Sequence, residues 1–254
     1  MQKKLTILLT NDDGIQAEGI NVLFDVLSED HEIYMIAPDS ERSACSNAFH
    51  VGKPLTFTKH DDRHFSVSGY PADCSGLGIN SDLFPTFDLV VSGINHGTNI
   101  GEDVHFSGTV AGARTAVVFR TTGIAISLDS YHKPSKNFKD AAKFLLKYLN
   151  KNTQNFSSDT HFLNINFPDL PISEIKGVQY TKIGSRNYYD TYEIQKTEGT
   201  TLTVHMKGNM KPDFSSDTDV SAIQNSIISI TPLTLDSTDY NLFKKNSFIL
   251  PELQ

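Results

Sequence analysis

The sequence predicts an α/β fold, a doubly wound and mostly parallel sheet that carries a β-rich appendage towards its C-terminal end. Three observations predict it. Leu5 to Thr10 is a short continuous apolar run cut off by Asp and Gly, the pattern of a strand buried on both faces. Ile20, Leu23, Phe24 and Leu27 then fall at i, i+3, i+4 and i+7, one apolar helical stripe, and His31 to Ala37 gives a second strand closed by Pro38-Asp39. This strand–helix–strand order is a βαβ unit with a right-handed crossover. Beyond Phe167, by contrast, strand-like segments recur without helical patterns between them.

The remaining elements follow in order. Lys53 to Thr58 and His64 to Ser68 read as short strands around the polar tip Lys59 to Arg63, a hairpin. Pro71-Ala72-Asp73 resembles a helix start, and Asp73 to Leu83 carries a weak helical pattern. Phe87 to Val91 is another apolar run, and a glycine-rich loop is expected from Ser92 to Gly108. Thr109 to Phe119 reads as a helix and Ile124 to Leu128 as a buried strand. Ala141, Phe144, Leu145, Tyr148 and Leu149 mark an amphipathic helix over 137–150. After the Ser/Thr/Asn-rich stretch from Asn152 to Thr160, Phe162 to Phe167 adds a strand to the main sheet. Val178 to Thr181, Tyr188 to Glu193, Thr201 to Met206 and Ile227 to Ile230 make the C-terminal third β-rich, ending at Pro232.

Composition narrows the function. The 254 residues suffice for one large domain, and 38% hydrophobic residues suffice for an ordinary core. A net charge of −8 argues against extended contact with polymeric nucleic acid, which needs a basic surface. It leaves room for a single nucleotide bound beside a cation that supplies positive charge locally. No stretch approaches the roughly 18 apolar residues of a membrane span, and the run after Lys3 and Lys4 is too short for a signal peptide. Cys45 and Cys74 lack metal-ligand spacing and read as two reduced thiols of a cytoplasmic protein, with a disulfide between them as the alternative.

In an open parallel sheet, ligands bind beyond the carboxyl ends of the strands. Asn11-Asp12-Asp13-Gly14 follows the first strand, Pro38 to Ser43 the second, and Ser92-Gly93-Ile94-Asn95 the strand that ends at Val91. Three oxygen-rich loops thus leave one sheet edge. Adjacent carboxylates such as Asp12 and Asp13 repel unless a cation lies near them, and Asp, Ser and Asn oxygens suit a hard divalent ion. The bland alternative is a simple turn, since all four residue types of Asn11 to Gly14 favour turns. The stretch from Ser92 to Gly101 is neither a dinucleotide fingerprint nor a P-loop, because Gly93, Gly97 and Gly101 are four apart and no Gly-Lys-Ser/Thr occurs. Ser107-Gly108-Thr109 opens a helix, either as an anion site or as an ordinary Ser N-cap. His96 and His105 lie in the loop without a motif-spaced carboxylate. Arg42 reads equally as a phosphate ligand or as an ion-pair partner of Glu41 or Asp39, and Asp61-Asp62-Arg63 as a solvated tip.

Together these segments resemble the SurE family of stationary-phase survival proteins, which are 5′-nucleotidases and broader phosphatases. Ile7 to Gly14, Ala37-Pro38-Asp39 with Arg42-Ser43, Pro71 to Cys74, Ser92 to Asn95, Gly101 to Val104, Ser107 to Val110, Asn164 to Pro168, Thr218-Asp219 and Ile230 to Leu233 carry the resemblance over nearly the whole chain. It implies a Rossmann-like catalytic domain over 1–170 and a β-rich region over 171–254 that acts as an oligomerisation arm of a homodimer or homotetramer. It also implies one divalent cation per subunit, Mg²⁺ or Mn²⁺, held by Asp12, Asp13, Ser43 and Asn95. Asn99, Ser107, Gly108 and Thr109 are implied to lie near the phosphate. Tyr70 and Phe106 depart from the family pattern, standing where Thr and Tyr are usual, and the segment from Asn47 is less rich in Ser and Thr than its family counterpart.

The expected reaction is metal-assisted hydrolysis of nucleoside 5′-monophosphates, extending to 3′-nucleotides and short polyphosphate. Asp12 is expected to orient or deprotonate the attacking water, while Ser107, Thr109 and nearby N–H groups stabilise the developing phosphoryl charge. An aspartyl-nucleophile phosphatase fits less well, because Asp12 and Asp13 are adjacent and no downstream Lys motif follows. A nucleotide- or anion-binding regulatory module without turnover is the alternative from another class.

Overall fold

The computed structural model describes residues 3–131, 134–154, 156, 160–186, 188–210 and 215–245. The first strand, β1 (Thr6–Thr10), leads through a turn to α1 (Glu18–Leu27) and β2 (Glu32–Pro38). A short hairpin follows, β3 (Phe57–Lys59) and β4 (His64–Val67), then α2 (Pro71–Asn80), β5 (Leu89–His96), α3 (Gly108–Val118) and β6 (Thr122–Leu128). The longest helix, α4 (Phe138–Asn152), precedes β7 (Phe162–Phe167) and β8 (Gly177–Tyr180). An antiparallel pair, β9 (Tyr188–Glu198) and β10 (Thr201–Met210), is followed by α5 (Asp219–Gln224), β11 (Ile227–Pro232) and α6 (Tyr240–Lys245). Among the described residues, no helix is long and apolar enough to cross a membrane.

Nine strands form one sheet in the order β3-β4-β2-β1-β5-β6-β7-β11-β8. Pairing is parallel from β4 through β7, and antiparallel between β3 and β4 and between β7 and β11. Period-2 alternation sends Ile7 and Leu9 to one face and Leu8 to the other. The stripes of α1 (Ile20, Leu23, Leu27) and α4 (Ala141, Leu145, Leu149) cover the first face. Cys74 of α2 and Ala116 of α3 pack on the second with Leu8, Ile36 and Val90. This is the doubly wound α/β architecture, with β9 and β10 forming a separate two-stranded sheet.

From β1 the chain winds first towards β2, then returns to lay β5 on the other side of β1. The winding direction therefore reverses between β1 and β5, and the loops leaving those strands splay apart there to open a crevice. Small residues let α3 sit close over this point. A Cβ on Gly112 would lie 2.7 Å from Ser92 Oγ and 2.9 Å from Thr10 Cγ2.

Two local expectations are corrected. Ser92 to Asn95 is not loop but the end of β5, where the register with β6 shifts between Ser92 and Asn95. The Gly93–Ile94 peptide is cis, and Gly93, with φ 134°, leaves no room for a Cβ beside the Ile126 carbonyl. The C-terminal third holds two short helices, α5 and α6, that the pattern did not reveal. The strands β8 and β11 extend the main sheet.

Candidate active site

The turn after β1 is closed by its outer residues. Asn11 donates through Nδ2 to the Gly14 carbonyl (2.9 Å), and Gly14 N–H donates back to Asn11 Oδ1 (3.2 Å). Gly14 has φ 96°, in the region that disfavours side chains. The turn chemistry of Asn-Asp-Asp-Gly is thus real, but Asn11 and Gly14 supply it. The two aspartates are left to reach other loops. Arg42 N–H donates to the Asp12 carbonyl (2.7 Å), which stitches the loop after β2 to the turn. His96 N–H approaches Asp13 Oδ2 (3.4 Å), which brings in the end of β5.

Asp12 lies beneath the first turn of α3, 5% exposed. The Thr109 hydroxyl donates to its Oδ1, and Gly108 leaves the space its carboxylate occupies. A Cβ at Gly108 would sit 2.8 Å from Asp12 Oδ2 and 2.7 Å from Cys45 Sγ. Burial raises the Asp12 carboxyl to about 6; the Thr109 hydroxyl opposes that rise and the neighbouring Asp13 charge adds to it. Asp13 is also raised, first by burial and also by Glu41, against the lowering effect of the His96 N–H.

Around these carboxylates lies an open cleft of about 700 Å³. Its wall brings together Asp12, Asp13, Ser43, Asn95, Asn99 and Ser107, six of the eight residues singled out from sequence. The other two, Gly108 and Thr109, stand behind Asp12 and are buried, and the Thr109 hydroxyl donates its hydrogen bond to that carboxylate. Ser107 lines the cleft and also caps α3, accepting from Val110 N–H (3.0 Å), so its two alternatives coexist. Ser43 donates to Glu41 Oε1 (2.7 Å), and Asn95 donates through Nδ2 to the Gly97 carbonyl (2.8 Å). Both keep an oxygen as their acceptor atom.

The other expectations resolve as follows. Arg42 pairs with Asp39 (3.1 Å) and donates to the Gly69 carbonyl. His96 lines the cleft with Nδ1 3.0 Å from Ser130 Oγ, whereas the His105 carbonyl accepts from Ser46. Asp61 receives N–H groups from Arg63 and His64 at an exposed tip. Cys45 and Cys74 are free thiols, both pushed up by burial, Cys45 to about 11.

Sequence reasoning missed several residues of the site. Asn164 and Asn166 of β7 hold Asn99 from behind: both donate to its carbonyl (2.7 and 3.2 Å), and its N–H donates to Asn166 Oδ1 (2.8 Å). Asp103 and Tyr131 line the cleft. The signals in the sequence are the asparagines of the buried strand β7 and the run Gly101-Glu102-Asp103, neither of which carries a role by its local pattern alone.

The wall carries four carboxylates, Asp12, Asp13, Glu41 and Asp103, and no Lys or Arg among the described lining residues. Among the described residues no group of three or more His, Cys, Asp or Glu is arranged to hold a metal. The set Asp12, Asp13, Ser43 and Asn95 has instead two carboxylates and two neutral oxygens. Such all-oxygen sets fit Mg²⁺ or Mn²⁺, and the raised carboxyls of Asp12 and Asp13 mark a place short of positive charge.

Fold and cleft together define an α/β protein with an acidic, hydroxyl-bearing site at the switch point of a parallel sheet. The family model described as survival protein SurE matches residues 7–190. The 5′-nucleotidase SurE of Leptospira interrogans is 36% identical over 244 residues, covering 96% of this chain and 97% of that protein. The 5′-nucleotidase SurE of Desulfitobacterium hafniense is 39% identical over 243 residues, 94% of each chain. The crystal structure of the SurE protein from Aquifex aeolicus superposes with a TM-score of 0.83 at 32% identity, over 95% of this chain and 98% of that one. The chain belongs to the SurE family.

Proposed function

We propose that this chain is a divalent-metal-dependent phosphomonoesterase that converts nucleoside monophosphates to nucleoside and phosphate. Its primary activity is that of a 5′-nucleotidase, with 3′-nucleotides and short polyphosphate as further substrates. The nucleotidase reading draws support from the names of the relatives, 5′-nucleotidase SurE in each case. The observation that carries the metal dependence is the sign of the cleft. Four carboxylates with no Lys or Arg among the described lining residues would repel a phosphate dianion. One divalent cation per subunit offsets two of those charges, those of Asp12 and Asp13, and offers the phosphate a local positive centre.

Asp12, Asp13, Ser43 and Asn95 would hold the cation. When bound, it supplies Lewis acidity towards a phosphoryl oxygen. The chain does the rest. Asn99 and Ser107 face the phosphate, and the N-terminal end of α3 stabilises charge developing on its oxygens. Thr109 and Gly108 act indirectly, by fixing where the Asp12 carboxylate stands. Asp12 is the residue that orients the attacking water.

The chain is also proposed to form a homodimer or homotetramer through the 171–254 region. Tyr192 and Ile194 of β9 pair across from Met206 and Val204 of β10, and all four are exposed. Two free thiols suit the reducing cytoplasm. The test is phosphate release from AMP and from an aryl phosphate, with Mg²⁺ or Mn²⁺ and with chelator. Loss of turnover on chelation supports the proposal. Turnover that survives chelation overturns the metal dependence, and binding without hydrolysis favours a regulatory module.

A further inference from the structure

The cleft contains a charge that its proposed chemistry does not use. Asp103 lines the wall and lies one turn before the helix cap, its carbonyl accepting from Ser107 N–H (2.9 Å). A carboxylate there opposes any phosphate that Ser107 faces. Its partner comes from far along the chain. Arg186, 8% exposed, directs Nη1 to Asp103 Oδ2 and to the Tyr131 hydroxyl (3.1 Å), and its guanidinium carbon lies 5.7 Å from the centre of the Tyr131 ring.

The same residue is locked into the cleft wall by its backbone. Arg186 N–H donates to Glu102 Oε2 (2.7 Å), and Ser185 donates to Glu102 Oε1 (2.6 Å). The Tyr131 hydroxyl in turn donates to the Thr98 carbonyl (2.6 Å), and the ring packs on Gly97, where a Cβ would come within 2.6 Å of it. Arg186 therefore reaches two lining residues, Asp103 and Tyr131, and through Tyr131 the Gly97–Thr98 segment just before Asn99. Half-buried Asp129 also feels its charge, which opposes the rise that desolvation gives that carboxyl.

We propose that Arg186, just ahead of β9, is a positioning residue of the active site: it cancels the Asp103 charge and fixes Tyr131, so that the cleft accepts a phosphate dianion. The proposal rests on the phosphate-binding reading above. It makes the segment that leads into the β9–β10 pair part of the catalytic apparatus, although Arg186 does not itself line the cleft.

The experiment compares wild type, Arg186→Met, Asp103→Asn and the double variant Asp103→Asn/Arg186→Met. Affinity for inorganic phosphate is read by calorimetry in magnesium buffer, and kcat and KM are read separately with AMP. Arg186→Met should weaken phosphate binding about tenfold or more and raise KM by a similar factor, with kcat changed much less. Adding Asp103→Asn should return both to within a few-fold of wild type, a rescue that a purely structural lesion would not show. Where Arg186→Met does not fold, Arg186→Gln gives the same comparison without the charge. Unchanged affinity in the Arg186 variants, or a loss that Asp103→Asn does not reverse, overturns the proposal. Wild type that binds phosphate but does not hydrolyse AMP refutes the nucleotidase reading while leaving this comparison intact. Wild type that does not bind phosphate removes the premise and overturns the inference with it.

Discussion

Gly108→Ala adds one methyl group, and the structure says where it goes. It would lie 2.7 Å from Cys45 Sγ, 2.8 Å from Asp12 Cβ and 2.8 Å from Asp12 Oδ2, all closer than such contacts occur. Gly108 is the first residue of α3, so alanine there gains up to about 1 kcal/mol of helix propensity. Overpacking costs about 1–3 kcal/mol, leaving a net destabilisation of roughly 0–2 kcal/mol. Asp12 cannot yield freely, since Thr109 holds its carboxylate and Arg42 N–H its carbonyl. Whatever relief occurs must move Cys45, the helix start or the carboxylate itself. A misplacement near 1 Å at a catalytic group can cost about 100-fold in rate. The expected outcome is therefore nearly normal stability in urea unfolding with aryl-phosphate turnover lowered by about tenfold to 100-fold. Cys45→Ala in the same chain removes the Sγ contact but not the two to Asp12, so stability should recover more than turnover. Gly108→Ala with wild-type kcat/KM would refute the claim that α3 is lowered onto Asp12 to build the site.

Three further outcomes follow from the same geometry. In chelator, Asp12→Asn should be more stable than wild type at neutral pH. The folded carboxyl titrates near 6 against an ordinary 3.8, so folding binds the proton more tightly and stability falls as pH rises from about 4 to about 6. Above that window the penalty approaches about 3 kcal/mol and below it vanishes; equal urea midpoints for the two proteins at pH 7.5 would count against it. Asp219→Asn should cost about 1–3 kcal/mol, because the buried carboxylate accepts N–H groups from Gly101, Gly184 and Val220, and an amide cannot accept all three equally. An unchanged unfolding midpoint would contradict this. Ile194→Asp with Met206→Asp should reduce the mass seen by light scattering without lowering the melting temperature, and an unchanged mass would remove the β9–β10 pair from the interface.

The parts of the fold legible in sequence are those whose burial is uniform along an element. Leu5 to Thr10 and Phe162 to Phe167 read as strands because both faces are covered, and α4 because only one face is. The end of β5 was hidden because Gly93 and Asn95 interrupt the apolar run where the strand turns from core to cleft. Only α2's start was clear, since Gly76 and Gly78 replace apolar residues; a Cβ on Gly78 would strike Leu8 Cδ2 at 2.5 Å. A six-residue helix such as α5 has too few turns to show a period, and its Thr218 cap is the one local signal. The same logic divides the site. Asp12, Asp13 and Ser43 lie in short segments following strands, so their position alone marks them. Asn166 behind Asn99 and Arg186 behind Asp103 are joined only by the folded chain, and no local pattern links them.

The four carboxylates of the cleft do not all ask for the same partner. Asp103 is answered by Arg186. Glu41 is more exposed and accepts the Ser43 hydroxyl, so water and a hydrogen bond carry its charge. Asp12 and Asp13 are left, and both are raised by burial even though one accepts from Thr109 and the other from His96 N–H. Neutral donors have therefore been brought to both without restoring the ordinary carboxylate range, and no described Lys or Arg lines the cleft beside them. Two adjacent charges in one partly desolvated place are matched by one divalent ion, whereas a monovalent side chain would leave half the repulsion standing. The proposed stoichiometry of one cation per subunit is supported by which charges the protein has already paired, since Asp103 has Arg186 and Glu41 has the Ser43 hydroxyl.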